Sequence, residues 1–505
     1  MKKIKIILPV ILLLILFFYN PAYSQDKSVK KQLQGFDEFV ESAMKDWNVP
    51  GVAIAIVKDS TIVYAKGYGY RNIEKKLHVT PQTLFAIGST TKAMTAVTVC
   101  QLVDDGLLDL DKPVKDYIPS FRMYDDYVTN HMTPRDLMCH RSGLPRHDFV
   151  WYGSDLTRKD LFETLQYLEP SKGFRSAYQY QNLMFMTAGY LVEQITGERW
   201  EQVVQKRIFD PLEITRSNFS VNDSKKDDDF SLPYAEKDGK IEEIPFRNID
   251  AIGPAGSVNS CVSEMGNWLI MQLNNGKFKN KQIISEGMIK QTRAPHVVTP
   301  GEVTDEIFYS SYGLGWVITS YRGHLLVSHG GGIDGFITQV ALLPRDSTGV
   351  VVLTNLGSSN LSAIIRNNVL DRMLGMDEID WNKRLLESRY KARKAREESE
   401  KEEDINQKKG TFPSHPLEEF AGKFKHPAYG ILEVKHTNGE LSASLHDLES
   451  PLKHYHYDIF EATDDLPDKL KLSFHTNLKG KINKVSSKLQ EGVKEIVFER
   501  VIEGT

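Results

Sequence analysis

The chain has 505 residues with 63 Lys and Arg, 67 Asp and Glu, and a formal net charge of -4. A charge so small for the size gives no general electrostatic reason to bind nucleic acid or an anionic membrane. Apolar residues make up 41% and charged residues 26%, the balance of a soluble globular protein, and the length exceeds one ordinary domain, so two or three folded units are expected.

In chain order, Lys2, Lys3 and Lys5 precede an apolar run from Ile6 to Phe18, and Ala22-Tyr23-Ser24 supplies small residues at a cleavage site. This is the pattern of a secretory signal over residues 1–24 and predicts an exported bacterial protein, periplasmic or secreted. The run is shorter than the ~20 residues of a spanning helix. No later stretch approaches that length, so no membrane span is expected after signal cleavage. Phe36, Phe39, Val40, Met44 and Trp47 recur at helical spacing. Val52 to Val57 and Thr61 to Ala65, separated by Lys58-Asp59-Ser60, read as a hairpin. A helical pattern runs from Ser89 to about Asp105, with Gly106 as a stop. More helices follow to about Asn275, and strands return at Val327, Thr338 to Leu343 and Val350 to Thr354. The order predicts an α+β domain in which the chain leaves an antiparallel sheet, builds a helical subdomain and returns.

The stretch Lys391 to Lys409 is almost wholly charged or polar and has no apolar face, so residues 376–411 are expected to form a charged helical linker. Residues 412–505 begin again: Ile431 to Lys435 and Leu441 to Leu445 flank Asn438-Gly439, a strong hairpin signal. With Leu470 to Phe474 and Glu495 to Val501 they predict a small antiparallel sheet or barrel. Cys100, Cys139 and Cys261 sit in apolar or helical contexts and read as buried free thiols. His454 and His456 share a strand face but lack a third ligand, so no metal and no cofactor is implied.

Three segments carry the chemistry. Ser89-Thr90-Thr91-Lys92 opens a helix, so Ser89 and Lys92 lie one turn apart on one face. A serine hydroxyl needs a neighbouring base, and a lysine serves only if burial or a nearby cation lowers its pKa. The helix N-terminus aims unpaired amides at the same point. Taken alone, this reads better as a helix-capping serine with a lysine beside it. Tyr180-Gln181-Asn182 precedes the helical run Leu183 to Ile195, and a tyrosine beside a lysine can act as a proton-transfer group. Val327-Ser328-His329-Gly330-Gly331-Gly332 ends an apolar strand in glycines, which let a substrate backbone approach closely.

Ser-x-x-Lys, Tyr-x-Asn and His-x-Gly in this order resemble the serine β-lactamase and penicillin-binding-protein superfamily, most closely its class C β-lactamase-related branch. Phe85 to Gly88, Gly106 to Asp111, His140 to Pro145, Pro254 to Ser257, Tyr312 to Trp316 and Thr354-Asn355 agree, and the resemblance covers residues 30–375. The tail is similar to a small β domain of unknown function that follows this domain in bacterial relatives. The resemblance implies a serine hydrolase that forms an acyl-enzyme on Ser89. Lys92 and Tyr180 would share general base and acid work, and Asn182 would position Lys92 and the substrate amide. His329, Gly330, Gly331 and Gly332 would form the substrate-binding edge, with an oxyanion hole from the amides of Ser89 and Gly332.

Where class C β-lactamases carry Lys-Thr-Gly, this chain has His-Gly-Gly. That puts strong carboxylate recognition, and so efficient β-lactam hydrolysis, below amide or ester cleavage. The implied substrate is a small molecule or peptide, acted on by a D-amino-acid peptidase-like or esterase-like enzyme. A different class of answer is a non-catalytic penicillin-recognising or scaffold protein acting through its C-terminal β domain.

Overall fold

The structure is a computed structural model that describes residues 27–502 apart from 238, 302, 464, 465, 467 and 468, and leaves out the side chains of 400 and 402–404. The expected signal segment lies outside the described residues. Nine strands form the main sheet: β1 (Gly51–Lys58), β2 (Thr61–Asn72), β3 (Leu77–His78), β4 (Val297–Val298), β5 (Ser310–Tyr312), β6 (Val317–Tyr321), β7 (His324–Ile333), β8 (Phe336–Leu343) and β9 (Thr348–Thr354). Their order is β4-β5-β6-β7-β8-β9-β1-β2-β3. The pairs are antiparallel, and the sheet ends on both sides in two-residue strands. Between β3 and β4 the chain builds the helical region, as the alternation of patterns predicts.

The unbroken apolar run in β1 follows from burial on both faces. Ala53, Ala55 and Val57 join the core beneath the helical region, while Val52, Ile54 and Ile56 join a second core on the opposite face. The side chains alternate because a strand has a period of two. Helix α1 (Phe36–Asp46) contributes Phe36 and Val40 to the second core. In the first core, α2 (Thr91–Asp104) packs against α3 (Asn182–Thr196), and α4 (Val262–Leu273) lies on β1 and β9. Helix α5 (Leu361–Leu374) covers the other face at β8 and β9. The sheet is thus the middle layer of three.

Helix α6 (Trp381–Asn406) starts with Trp381 buried in the second core and becomes exposed along its charged length. Beyond it, eight strands in sequential order from Gly422–His426 to Ile496–Arg500 close into a barrel, the last pairing with the first at Phe424 and Arg500. The Asn438-Gly439 turn has positive φ at both residues, 55° and 84°, as a two-residue hairpin requires. Cys100, Cys139 and Cys261 are free and buried. Among the described residues no helix is long and apolar enough to cross a membrane.

Ile54 is fully buried in the middle layer. Ile54→Ala is expected to destabilise the hydrolase fold by about 3 kcal/mol through lost burial and a residual cavity, read as a lower denaturation midpoint in urea.

Candidate active site

The turn Gly88–Thr90 carries Ser89 to the start of α2. Gly88 has φ +52°, and a Cβ there would come within 2.8 Å of the Gly332 nitrogen. A Cβ on Gly331 would meet the Ile87 carbonyl oxygen at 2.1 Å. Glycine at both positions therefore lets the serine turn press against β7. Ser89 stays partly exposed, whereas Lys92, three residues on, is fully buried.

Three oxygens surround the Lys92 amine. Its Nζ lies 3.0 Å from Ser89 Oγ, 2.8 Å from Asn182 Oδ1 and 2.7 Å from the Ala255 carbonyl. One turn along the same helix face, the Thr95 hydroxyl donates to the Pro254 carbonyl at 2.7 Å. Two consecutive carbonyls are thereby held by α2. Burial drives the Lys92 pKa well below the ordinary lysine range; the Arg146 cation pushes it the same way, and Asp148 opposes.

Tyr180 precedes α3, where the Gln181 side chain caps the Leu183 N–H at 2.8 Å and the Gln181 N–H donates to His140 Nδ1 at 3.0 Å. Burial raises the Tyr180 pKa above the usual phenol value, and the Ser89 hydroxyl opposes that rise. Lys92 Nζ sits 4.8 Å from the centre of its ring, and the Arg146 guanidinium sits 5.1 Å from it.

Asp148 organises the far side. Its Oδ1 accepts from Asn182 Nδ2 at 2.9 Å and from Trp151 Nε1 at 3.0 Å; its Oδ2 accepts from Arg146 Nε at 2.5 Å and from Gln490 Nε2 at 3.0 Å. The last donor comes from the barrel. Neighbouring seam contacts hold the same loop: Tyr429 Oη lies 2.7 Å from His147 Nδ1, and Asp447 N–H donates to the Gly153 carbonyl at 3.1 Å.

On β7 the two-residue turn Asp334-Gly335 closes against Ile333 and Phe336, so hydrogen-bonded pairs alternate back along the ladder. This leaves the main-chain groups of Gly330 and Gly332 pointing away from β8. β6 stops pairing at Ser328, so no neighbouring strand pairs with them. Gly332 is exposed, and its N–H joins that of Ser89, which lies in the first helical turn without an intrahelical acceptor. The two amides flank a cavity of about 290 Å³ lined by Ser89, Arg146, Trp151, Tyr152, Asn182, Gly332 and Gln490 among others. A second cavity of about 740 Å³ shares its Trp151, Ile249 and Ile252 walls.

The structure brings Ser89, Lys92, Tyr180, Asn182, Gly331 and Gly332 together, with Gly330 beside them on β7. The His329 ring packs beside Tyr180, with ring centres 6.2 Å apart. It is buried, its Nε2 pairs with the Tyr312 hydroxyl at 2.8 Å, and its Nδ1 lies 2.6 Å from the Gly330 carbonyl oxygen. Burial brings its pKa down to about 3, so the ring is neutral. Sequence reasoning did not find Arg146, Asp148, Gln490 or the Ala255 carbonyl. Among the described residues no group of three or more His, Cys, Asp or Glu is placed to hold a metal ion.

Residues 36–385 match the family model described as Beta-lactamase, and residues 406–500 match a domain of unknown function, DUF3471. The unguisins hydrolase of Aspergillus campestris is 29% identical over 430 residues, covering 79% of this chain and 77% of its own length. The octameric penicillin-binding protein homologue from Pyrococcus abyssi shares the fold with a TM-score of 0.60 at 24% identity, over 93% of this chain and 100% of that one. FmtA from Staphylococcus aureus superposes with a TM-score of 0.56 at 22% identity, over 69% of this chain and 89% of that one.

Gly189 on α3 lies against Pro254, and a Cβ there would come within 2.1 Å of the proline ring. Gly189→Ala is expected to push Pro254-Ala255 off Lys92. It should cost about 1–3 kcal/mol of stability from overpacking and lower ester turnover, read by urea denaturation and a chromogenic ester assay.

Proposed function

The chain belongs to the beta-lactamase family of serine hydrolases, and from that premise we propose that it cleaves amide or ester bonds through an acyl-enzyme on Ser89. The observation that carries this reading is the hydrogen-bond inventory of Lys92. A neutral amine has two N–H donors and one lone pair. The Asn182 and Ala255 oxygens only accept, so they take both donors, and the lone pair is left for the Ser89 hydroxyl. Neutral Lys92 is thus a base already aimed at its proton.

As Ser89 Oγ attacks the substrate carbonyl, its proton passes to Lys92. The developing oxyanion is held by the Ser89 and Gly332 N–H groups. Tyr180, kept a neutral phenol by its raised pKa, donates its proton to the leaving group and recovers one from Lys92. Asn182 Nδ2 gives one hydrogen to Asp148 and keeps the other for the substrate. The same groups activate the deacylating water. The substrate lies extended along the open edge of β7, as an added strand would. The two neighbouring cavities favour a peptide-like substrate or a bulky ester over a small one. β-Lactam turnover is the weaker activity, because neutral His329 supplies no cation for the drug's carboxylate. Export by the N-terminal signal completes the reading.

Purified protein should label with a fluorophosphonate probe and turn over p-nitrophenyl esters or D-aminoacyl amides faster than a chromogenic cephalosporin. Ser89→Ala should lose labelling and turnover with the fold intact. Unchanged kcat would overturn the nucleophile, and no labelling of the parent chain would favour a binding protein. Lys92→Arg and Tyr180→Phe should each lower kcat by about 10²–10⁴ with little change in KM.

The pH profile follows from the direction of the Lys92 shift. The base is neutral above its depressed pKa and is lost as pH falls through it. kcat/KM should therefore rise through an acid limb lying well below the ordinary lysine value, in a stopped-flow acylation series. A limb near the ordinary value would remove Lys92 as the base.

A further inference from the structure

Gln490 sits in the barrel, just past the strand Ile482–Ser487, yet both ends of its amide close on Asp148, 342 positions away. The Asp148 N–H donates to Gln490 Oε1 at 2.9 Å, and Gln490 Nε2 donates to Asp148 Oδ2 at 3.0 Å. One side chain thereby fixes both the main chain and the carboxylate of one residue. Gln490 also lines the catalytic cavity.

What Asp148 controls is the orientation of Asn182. The two ends of an asparagine amide are nearly the same shape, and only their partners decide which faces where. An ionised carboxylate only accepts, so Asp148 Oδ1 holds the Nδ2 end at 2.9 Å and turns Oδ1 toward Lys92. A reversed amide would point N–H at Lys92 instead. It would donate into the lone pair and take it away from Ser89.

We propose that Gln490 is a positioning residue of the hydrolase site: the barrel's amide clamps Asp148, Asp148 orients Asn182, and Asn182 keeps the Lys92 lone pair on the nucleophile. The barrel is then part of the catalytic apparatus rather than an appended module. The inference rests on the reading of Lys92 as the base.

The test is a double-mutant cycle in the full chain, with kcat and KM on a p-nitrophenyl ester and thermal melting of each protein. Gln490→Met keeps the length of the side chain and removes the amide. It should lower kcat on the order of 10-fold through misplacement of the base with KM within about twofold. In an Asn182→Ala background the same substitution should cost less than about twofold, since there is no amide left to orient. Lys494→Ala removes an exposed pair with Glu169 at the same seam and should leave kcat unchanged. Equal losses from Gln490→Met in both backgrounds, or a loss that only tracks melting temperature, would overturn the proposal. Should Gln490→Met not fold, Asp148→Asn gives the same cycle with Asn182 while keeping the main-chain contact to Gln490; independence of the two would again overturn it. The underlying mechanism is scored separately: if Ser89→Ala and Lys92→Arg retain turnover, it is the assignment of nucleophile and base that has failed.

Discussion

A lysine amine with no exposure to water is the constraint around which the rest of this molecule is arranged. Burying an ammonium without a counter-ion is costly, and the group escapes the cost by giving up its proton. Among the described residues no carboxylate is bonded to Nζ. Its partners are a hydroxyl, an amide oxygen and a main-chain carbonyl. Three oxygens could accept from an ammonium as well as serve a neutral amine, and it is burial that favours the neutral form. The nearest carboxylate, Asp148, acts through Asn182 and is itself occupied by Arg146, Trp151 and Gln490. Charge is kept close enough to tune the amine and one residue too far to pair with it.

The fold makes that burial possible by bringing distant segments to one point. The serine turn comes after β3, the asparagine from the start of α3, the Ala255 carbonyl from the segment before α4, and the glycine edge from β7. The first three lie in the chain that leaves the sheet, and the last in the chain that returns to it. Close approach is bought with glycine at Gly88, Gly189 and Gly331, where a single added carbon would meet backbone or a proline ring. The double-faced β1 anchors the sheet between its two cores, and the unpaired end of β7 forms the wall beside the serine turn.

Much of this was legible in the chain itself. The alternation of strand and helix patterns foretold a sheet interrupted by a helical block, and Asn438-Gly439 marked its hairpin. Ser89, Lys92, Tyr180 and Asn182 were visible because side-chain chemistry at fixed spacing leaves a trace. The Ala255 carbonyl leaves none, because every residue has one. Asp148 and Gln490 escaped for a different reason: each is an ordinary polar residue whose meaning lies in a partner 342 positions away. His329 was read from its place on the strand, which fixes the face of its ring but not the partners of its two nitrogens. Its turn toward Tyr312 depended on the aromatic packing around it. Barrel closure, too, needed the first and last strands to meet.

The main sheet stops at two-residue strands on both flanks, and main-chain groups that it leaves unpaired lie at Gly332 beside Ser89. A partner gripped there is chosen by its conformation before its side chains are read. A segment already coiled into a helix has used its own amides and carbonyls internally and has nothing to offer that edge. A stretched segment keeps those groups free, so under the proposed function that edge favours an extended backbone over a coiled one.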